Sequence, residues 1–424
     1  MEQSSTNKAQ ADQRCYDVIV FGATGFVGQI LCRYLIDHLA TQDSVTWALA
    51  GRSQQKLEQL KSELGPQAEH LPIVTADVTN ASSLQNLCAQ TRVVISTVGP
   101  YALYGEPLVK TCVETGTDYC DLTGEFQWIR RMIKTYATAA KESGARIVHC
   151  CGFDSVPSDL GVYYLQQQAQ QRFGQPCQRV KMRVKAALGG VSGGTISSGI
   201  NIVKEAMTNP ELQANRLNPY SLCEGFSYPD RQQSTLIPVQ YDNDFQCWAT
   251  SFVMAEVNAR IVFRSNALLE DAYGRDFDYD EGVLTAKGIP GWTVAQGLDL
   301  GLKGFGLAAA LPPTRWALES WIVPSPGEGP SPEQQAQGFY DLRFLGKTAS
   351  GDTVQVKVTG DRDPGYGSTA KILGQAGLCL AHDIPTAVEG GFWTPAALFK
   401  DALIKRLTAH AGLTFEHLEP GSSD

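Results

Sequence analysis

Residues 18–28 read Val-Ile-Val-Phe-Gly-Ala-Thr-Gly-Phe-Val-Gly, and this stretch constrains the chain more than any other. Val18–Phe21 is a branched apolar run too short for a helix, so it reads as a buried strand. Phe26, Ile30, Leu31, Leu35 and Leu39 then recur at helical spacing. Gly22, Gly25 and Gly28 stand between the two, three residues apart. Strand, glycine turn and helix in that order form the first half of a dinucleotide-binding βαβ unit. A side chain in the turn would hold the backbone away from a pyrophosphate, and the helix start offers N–H groups without an intrahelical acceptor. The spacing is G-x-x-G-x-x-G, so an ordinary tight βα turn is the competing reading. The flanking strand and helix favour a nucleotide, lined by Gly22, Ala23, Thr24, Gly25, Phe26, Val27 and Gly28.

Length and composition bound the rest. A chain of 424 residues with 43% apolar and 19% charged residues suits two α/β domains. The net charge of −9, without a basic stripe, argues against nucleic acid as a partner. Eleven cysteines without a C-x-x-C framework point to free thiols in a reducing, cytoplasmic setting. The six histidines offer no metal spacing. Residues 1–15 form a polar tail expected to be disordered, without the apolar segment of a signal peptide. Gly291–Val323 is the most membrane-like stretch, but Asp299, Lys303, Arg315, Glu319 and Pro312-Pro313 argue against a spanning helix. A buried or substrate-facing helical hairpin is expected there, with a membrane-surface patch as the second reading.

Further along, Val45–Leu49 reads as a second strand running into Ala50-Gly51-Arg52-Ser53. An acid at this point would bind the ribose 2′-hydroxyl of NAD, whereas Arg52 suits the 2′-phosphate of NADP. The competing reading makes Arg52 a solvated residue opening helix 54–64. A third strand, 71–75, leads to Asp77 and Val78, placed to meet the adenine. Asp77 as the N-cap of helix 82–89 is the alternative. Strand 93–96 runs into Thr97, Val98 and Gly99, which would cross the carboxyl ends of the strands where ligands bind. Pro100 stiffens this turn, and Tyr101 projects toward the nicotinamide position, a packing aromatic being the alternative. Helix 106–115, strand 116–125, helix 127–143 and strand 145–150 complete a doubly wound pattern. Asp154 and Ser155 follow at the same rim, while Ser158 and Asp159 read as helix caps.

Beyond residue 178, Val180, Met182, Val184 and Ala186 alternate, as in a half-buried strand of an antiparallel sheet. The turn 189–195 reads as an anion nest or a hinge, followed by helix 196–207. Residues 208–245 read as irregular, and 339–346 with 354–359 as a hairpin around Ser350-Gly351-Asp352. Pro324–Pro332 reads as a rigid connector. Helices from Asp363 to Leu380 and from Pro395 to Ala411 are expected to return to the first domain. The fold expected is α/β, a Rossmann-type doubly wound parallel sheet (16–160) with an inserted α+β domain containing an antiparallel sheet (161–362). Residues 363–424 form the returning helices.

Several blocks are similar to the saccharopine dehydrogenase-like oxidoreductases, and more narrowly to the trans-acting enoyl reductases. They are Gly22–Gly28, Gly99–Gly105, Gly116–Glu125, Cys151–Gly161, Ser192–Thr195, Pro326–Ser331 and Asp363–Tyr366. The resemblance implies NADP as cofactor and a link to lipid metabolism. It also implies reduction of an activated C=C bond in a small-molecule acyl or lipid substrate, free or carrier-bound. Tyr101 matches a tyrosine near the reacting carbon in saccharopine reductases, which makes it the implied donor to the developing enolate, with Asp154 as partner. Where those enzymes have Asp-Pro-Gly, this chain has Asp154-Ser155-Val156, a departure that speaks against saccharopine itself. Reduction of an imine or ketone, or a non-catalytic NADP-binding lipid-associated scaffold, are the alternatives. A homodimer is compatible with all of them.

Overall fold

The computed structural model describes residues 14–39, 45–190, 193–208, 218–226, 228, 233, 236–318 and 329–419. The tail up to residue 13, Ser192 and most of the 324–332 connector lie outside the described residues, as does part of 208–245. The first strands are β1 (Tyr16–Phe21), β2 (Trp47–Gly51), β3 (Ile73–Thr75), β4 (Thr91–Ser96), β5 (Asp118–Asp121), β6 (Arg146–Val148) and β7 (Cys177–Leu188). They are followed by β8 (Gln240–Asp242), β9 (Cys247–Ser251), β10 (Asp278–Leu284), β11 (Phe339–Thr348), β12 (Thr353–Gly360), β13 (Gly391–Trp393) and β14 (Leu413–Leu418).

The chain divides into two compact units. The first comprises residues up to 123, 128–152 and 366–411; the second comprises 124–127, 153–365 and 412 onward. The first unit holds a parallel sheet in the order β13-β6-β5-β4-β1-β2-β3. Val18, Ile19 and Val20 of β1 and Val93, Val94 and Ile95 of β4 are fully buried, as a sheet covered on both faces demands. From β1 the strand order runs outward both ways, to β2 on one side and β4 on the other, which creates a crevice at the carboxyl ends. Helix Thr369–His382 packs against helix Phe26–Leu39 and against β4 and β5. It comes close because Gly377 lies on Ile95, where a methyl group would overlap the isoleucine side chain.

The second unit holds a sheet in the order β14-β12-β11-β7-β10-β9-β8. It is mixed, where alternation alone predicts an antiparallel sheet: β10 runs parallel to β7, and the other pairs are antiparallel. Alternation reports which face of a strand is buried and says nothing of a neighbour's direction. Val354, Val356 and Val358 of β12 all point into the core. Gly161 of helix Val156–Phe173 sits on the Phe344 ring of β11. That helix belongs to the second unit, so the division falls near residue 153 and not 160. Residues 366–411 group with the first unit, while β14, at the end of the segment read as returning helices, joins the second sheet.

Two local readings change. Ser158 and Asp159 lie inside the first turn of helix 156–173 rather than capping it, and Asp159 accepts a hydrogen bond from Ser265 at 2.6 Å. The stretch from residue 291 forms helices Gly288–Ala310 and Pro312–Ala317, and much of the first is exposed rather than buried.

Candidate functional site

The turn after β1 is built by three glycines in different ways. Gly22 has φ +89°, and a methyl group there would lie 2.7 Å from Thr97 Oγ1 and Val98 Cγ2. Gly28 faces the backbone of Gly22 and Ala23 so closely that a methyl group would overlap the Gly22 carbonyl. A methyl group on Gly25 would meet only the Gly22 oxygen, at 3.3 Å, and otherwise open space. Gly22 thus shapes the turn, Gly28 seats the helix on the strand, and Gly25 leaves room for an approaching group. Gly22 and Ala23 donate to the Ala50 carbonyl at 2.9 and 3.1 Å, and Gln29 Nε2 holds the Thr24 carbonyl at 3.0 Å. Phe26, Val27 and Gly28 open the helix, so their N–H groups have no intrahelical acceptor.

The turn after β4 supports the first. The Thr97 hydroxyl donates to the Gly22 carbonyl at 3.0 Å, and its N–H donates to Phe21 at 2.9 Å. Thr97 and Val98 therefore brace the glycine turn from behind, a role their spacing does not reveal. Phe26 packs edge-on against Tyr366, with ring centroids 5.2 Å apart. Tyr366 is a support that only the tertiary structure identifies.

Arg52 leaves the end of β2 exposed, and its guanidinium makes no hydrogen bond or ion pair among the described residues. Ser53, not Arg52, opens the next helix, its hydroxyl accepting from Lys56 N–H at 3.3 Å. Asp77 is not an N-cap. Asn80 caps helix Ala81–Ala89 by accepting from Ser83 N–H at 3.1 Å. The Asp77 carboxylate instead accepts from the backbone and hydroxyl of Thr79, at 2.8 and 2.7 Å. Those bonds, with Arg52 contributing less, hold it below the usual carboxylate range. Val78, beside it, is half-buried.

Gly99 leads into Pro100 and Tyr101. The Tyr101 ring is 4% exposed and its hydroxyl donates to the Ser96 carbonyl at 3.0 Å. Its ring lies against Trp128, centroids 5.5 Å apart. This bond fastens the turn to the end of β4. A donor to substrate would have to leave it.

Under the carboxyl ends of β5 and β6 lies a buried cluster missed by sequence reading. Asp121 accepts from the Tyr119 hydroxyl at 2.9 Å and pairs with His149 Nδ1 at 2.7 Å. Its other oxygen accepts from the N–H groups of Thr123 and Cys150, at 3.1 and 3.2 Å. Asp121 lies in a stretch of peculiar composition, but nothing in the sequence pairs it with His149. Only adjacency of the two strands does.

Asp154, in the second unit, is half-buried and makes no hydrogen bond or ion pair among the described residues. Burial pushes its carboxyl up to about 6. The same unit contains a buried polar chain. Ser155 donates to Asn258 at 2.9 Å, Asn258 donates to Glu281 at 3.0 Å, and the Tyr279 hydroxyl donates to Glu281 at 2.6 Å. Burial pushes Glu281 up to about 7. All eleven cysteines are free, and the described residues include no cluster able to hold a metal ion.

The glycine turn, Arg52 without a partner among the described residues, and the space above Gly25 fit a dinucleotide carrying a 2′-phosphate. Residues 18–148 match the family model of the saccharopine dehydrogenase NADP binding domain. A Mycobacterium tuberculosis protein provisionally named as a trans-acting enoyl reductase is 39% identical over 422 residues, covering 96% of this chain and 98% of its own. The trans-acting enoyl reductase of Mycobacterium bovis is 37% identical over 416 residues, 93% of this chain and 96% of that one. Among solved structures, apo saccharopine dehydrogenase (L-Glu forming) from Saccharomyces cerevisiae aligns with a TM-score of 0.52 at 17% identity. The alignment covers 95% of this chain and 100% of that one, and the likeness is one of fold. The chain belongs to the trans-acting enoyl reductase family, and its first unit carries an NADP-binding domain of the saccharopine dehydrogenase type.

Proposed function

We propose that the protein is an NADPH-dependent enoyl reductase that saturates the activated C=C bond of an acyl or lipid thioester. The observation that carries this reading is the glycine turn with Arg52 beside it, in a chain whose relatives of nearly equal length bear that name. When bound, NADPH supplies a hydride to the β-carbon of the unsaturated acyl group. The Gly22–Gly28 turn holds the pyrophosphate through the helix-opening N–H groups of Phe26, Val27 and Gly28, Arg52 holds the 2′-phosphate, and Asp77 and Val78 border the adenine. Thr97, Val98 and Gly99 back the cofactor, and Tyr101 acts as a positioning residue that fixes their turn through Ser96.

Asp154 then supplies the proton that the α-carbon takes up, so that C=C becomes CH–CH. A carboxyl held near 6, with no partner among the described residues, is suited to proton transfer close to neutral pH. The experiment measures NADPH oxidation over a panel of α,β-unsaturated acyl thioesters of increasing chain length. Turnover requires protonated Asp154, so it should fall as pH rises through about 6. Asp154→Asn should lower turnover roughly a hundredfold or more and flatten that profile, with NADPH affinity unchanged. NADPH binding without oxidation on any thioester would remove the enoyl reductase reading. An unchanged pH profile in the variant would remove Asp154 alone.

A further inference from the structure

In helix 288–310 the fully buried residues are small ones, while Leu302 and Phe305 are half-buried and several large apolar side chains face outward. It buries Gly291, Ala295 and Ala309. It exposes Ile289 (78%), Trp292, Val294, Leu300 (66%) and Leu307 (63%), and Trp316 extends the same apolar character into the next helix. By helical periodicity Ile289, Trp292, Leu300 and Leu307 share one side of the helix and Val294 lies on another. Water selects against so many exposed large apolar side chains, so that side marks a surface made to meet an apolar phase.

The charges around the face say which phase. Within residues 285–318 the only acid is Asp299, and Lys303 neutralises it at 2.7 Å. Lys287, at the start of the helix, and Arg315, beyond its end, make no hydrogen bond or ion pair among the described residues. A chain of net charge −9 therefore carries, at both ends of this apolar surface, cations with no partner among the described residues. Two-fold pairing with a second copy would set Lys287 against the partner's Arg315, or each against itself, and both arrangements repel. Anionic headgroups would satisfy both cations, with the two exposed tryptophans at headgroup depth. No helix among the described residues is long and apolar enough to cross a membrane, so this one would lie in the interface plane.

We infer that helices 288–310 and 312–317 dock the protein on an anionic lipid surface, with Leu300 and Leu307 entering the acyl layer and Lys287 and Arg315 meeting the headgroups. The inference rests on no catalytic assignment.

The test uses the full chain with vesicles of phosphatidylcholine alone or mixed with phosphatidylglycerol, read by co-sedimentation and by the blue shift of tryptophan fluorescence. Wild type should bind the mixed vesicles, more weakly at high salt and more weakly still to phosphatidylcholine alone. Leu300→Asp/Leu307→Asp and Lys287→Glu/Arg315→Glu should each reduce binding roughly tenfold or more. NADPH affinity and thermal midpoint verify folding. If the aspartate variant does not fold, the charge reversal, confined to polar side chains, carries the test. Failure of wild type to bind, or equal binding by all three proteins, overturns the inference. A wild-type dimer that the aspartate variant splits, without vesicle binding, assigns the face to a second copy instead.

Discussion

At Gly22 and Gly28 a methyl group would strike neighbouring atoms, whereas at Gly297, Gly301, Gly304 and Gly306 it would find nothing within 4 Å among the described residues. Both stretches are glycine-rich helical neighbourhoods, yet the first is fixed from within the fold and the second is not. In the turn after β1 the neighbours that exclude a side chain are backbone and the braces Thr97 and Val98. In helix 288–310 each exposed glycine costs the helix about 1 kcal/mol relative to alanine, with no close contact in return.

Substitutions can break this contrast. The largest effect is expected at Gly28, where valine collides with backbone that cannot move aside. Gly28→Val should lower stability by about 3 kcal/mol in denaturant unfolding. Gly25→Val, facing open space, should leave the unfolding midpoint near wild type yet abolish NADPH binding in titration. Equal stability losses at both sites would mean that Gly25 also serves packing.

Arg52→Asp comes next. It replaces a charge-assisted bond to the 2′-phosphate with repulsion, so NADPH should weaken roughly a hundredfold and NADH only slightly. Parallel losses for both cofactors would assign Arg52 to folding. Tyr101→Phe should be smaller, removing one buried hydrogen bond to Ser96 for about 1 kcal/mol while leaving NADPH affinity intact. If turnover instead falls roughly a hundredfold at unchanged stability, the hydroxyl reaches the substrate after all. The smallest effect has the opposite sign. Gly301→Ala should raise the thermal midpoint, by up to about 1 kcal/mol of stability, because a methyl group meets nothing. A loss would reveal a contact made in solution.

The first unit was the legible one. Apolar runs such as Val93–Ile95 between amphipathic helices announce a parallel sheet, and Gly22–Gly28 mark where its first strand turns. What stayed hidden depends on neighbours distant in sequence. Val180–Ala186 advertise a strand face but carry no sign that β10 will run parallel to β7. Asp121 and His149 meet only because β5 and β6 are adjacent. Tyr101 follows β4, but its hydroxyl direction is set by the Ser96 carbonyl and the Trp128 ring, neither visible as a pattern. Asn80 displaced Asp77 as cap by three positions, a choice between two good capping residues that propensity does not resolve.

The return of residues 366–411 to the first unit also sets an order of assembly. During synthesis the strand carrying the glycine turn emerges first, but the helix that covers Ile95 and Leu31, and the outermost strand β13, emerge after residues 153–365. Until then the part of the sheet beneath helix 369–382, at β4 and β5, is uncovered, and the whole second unit can be completed first except for β14, its edge strand. A chain halted at residue 365 would carry every glycine of the cofactor turn and still lack the layer that keeps its sheet from other unfinished chains.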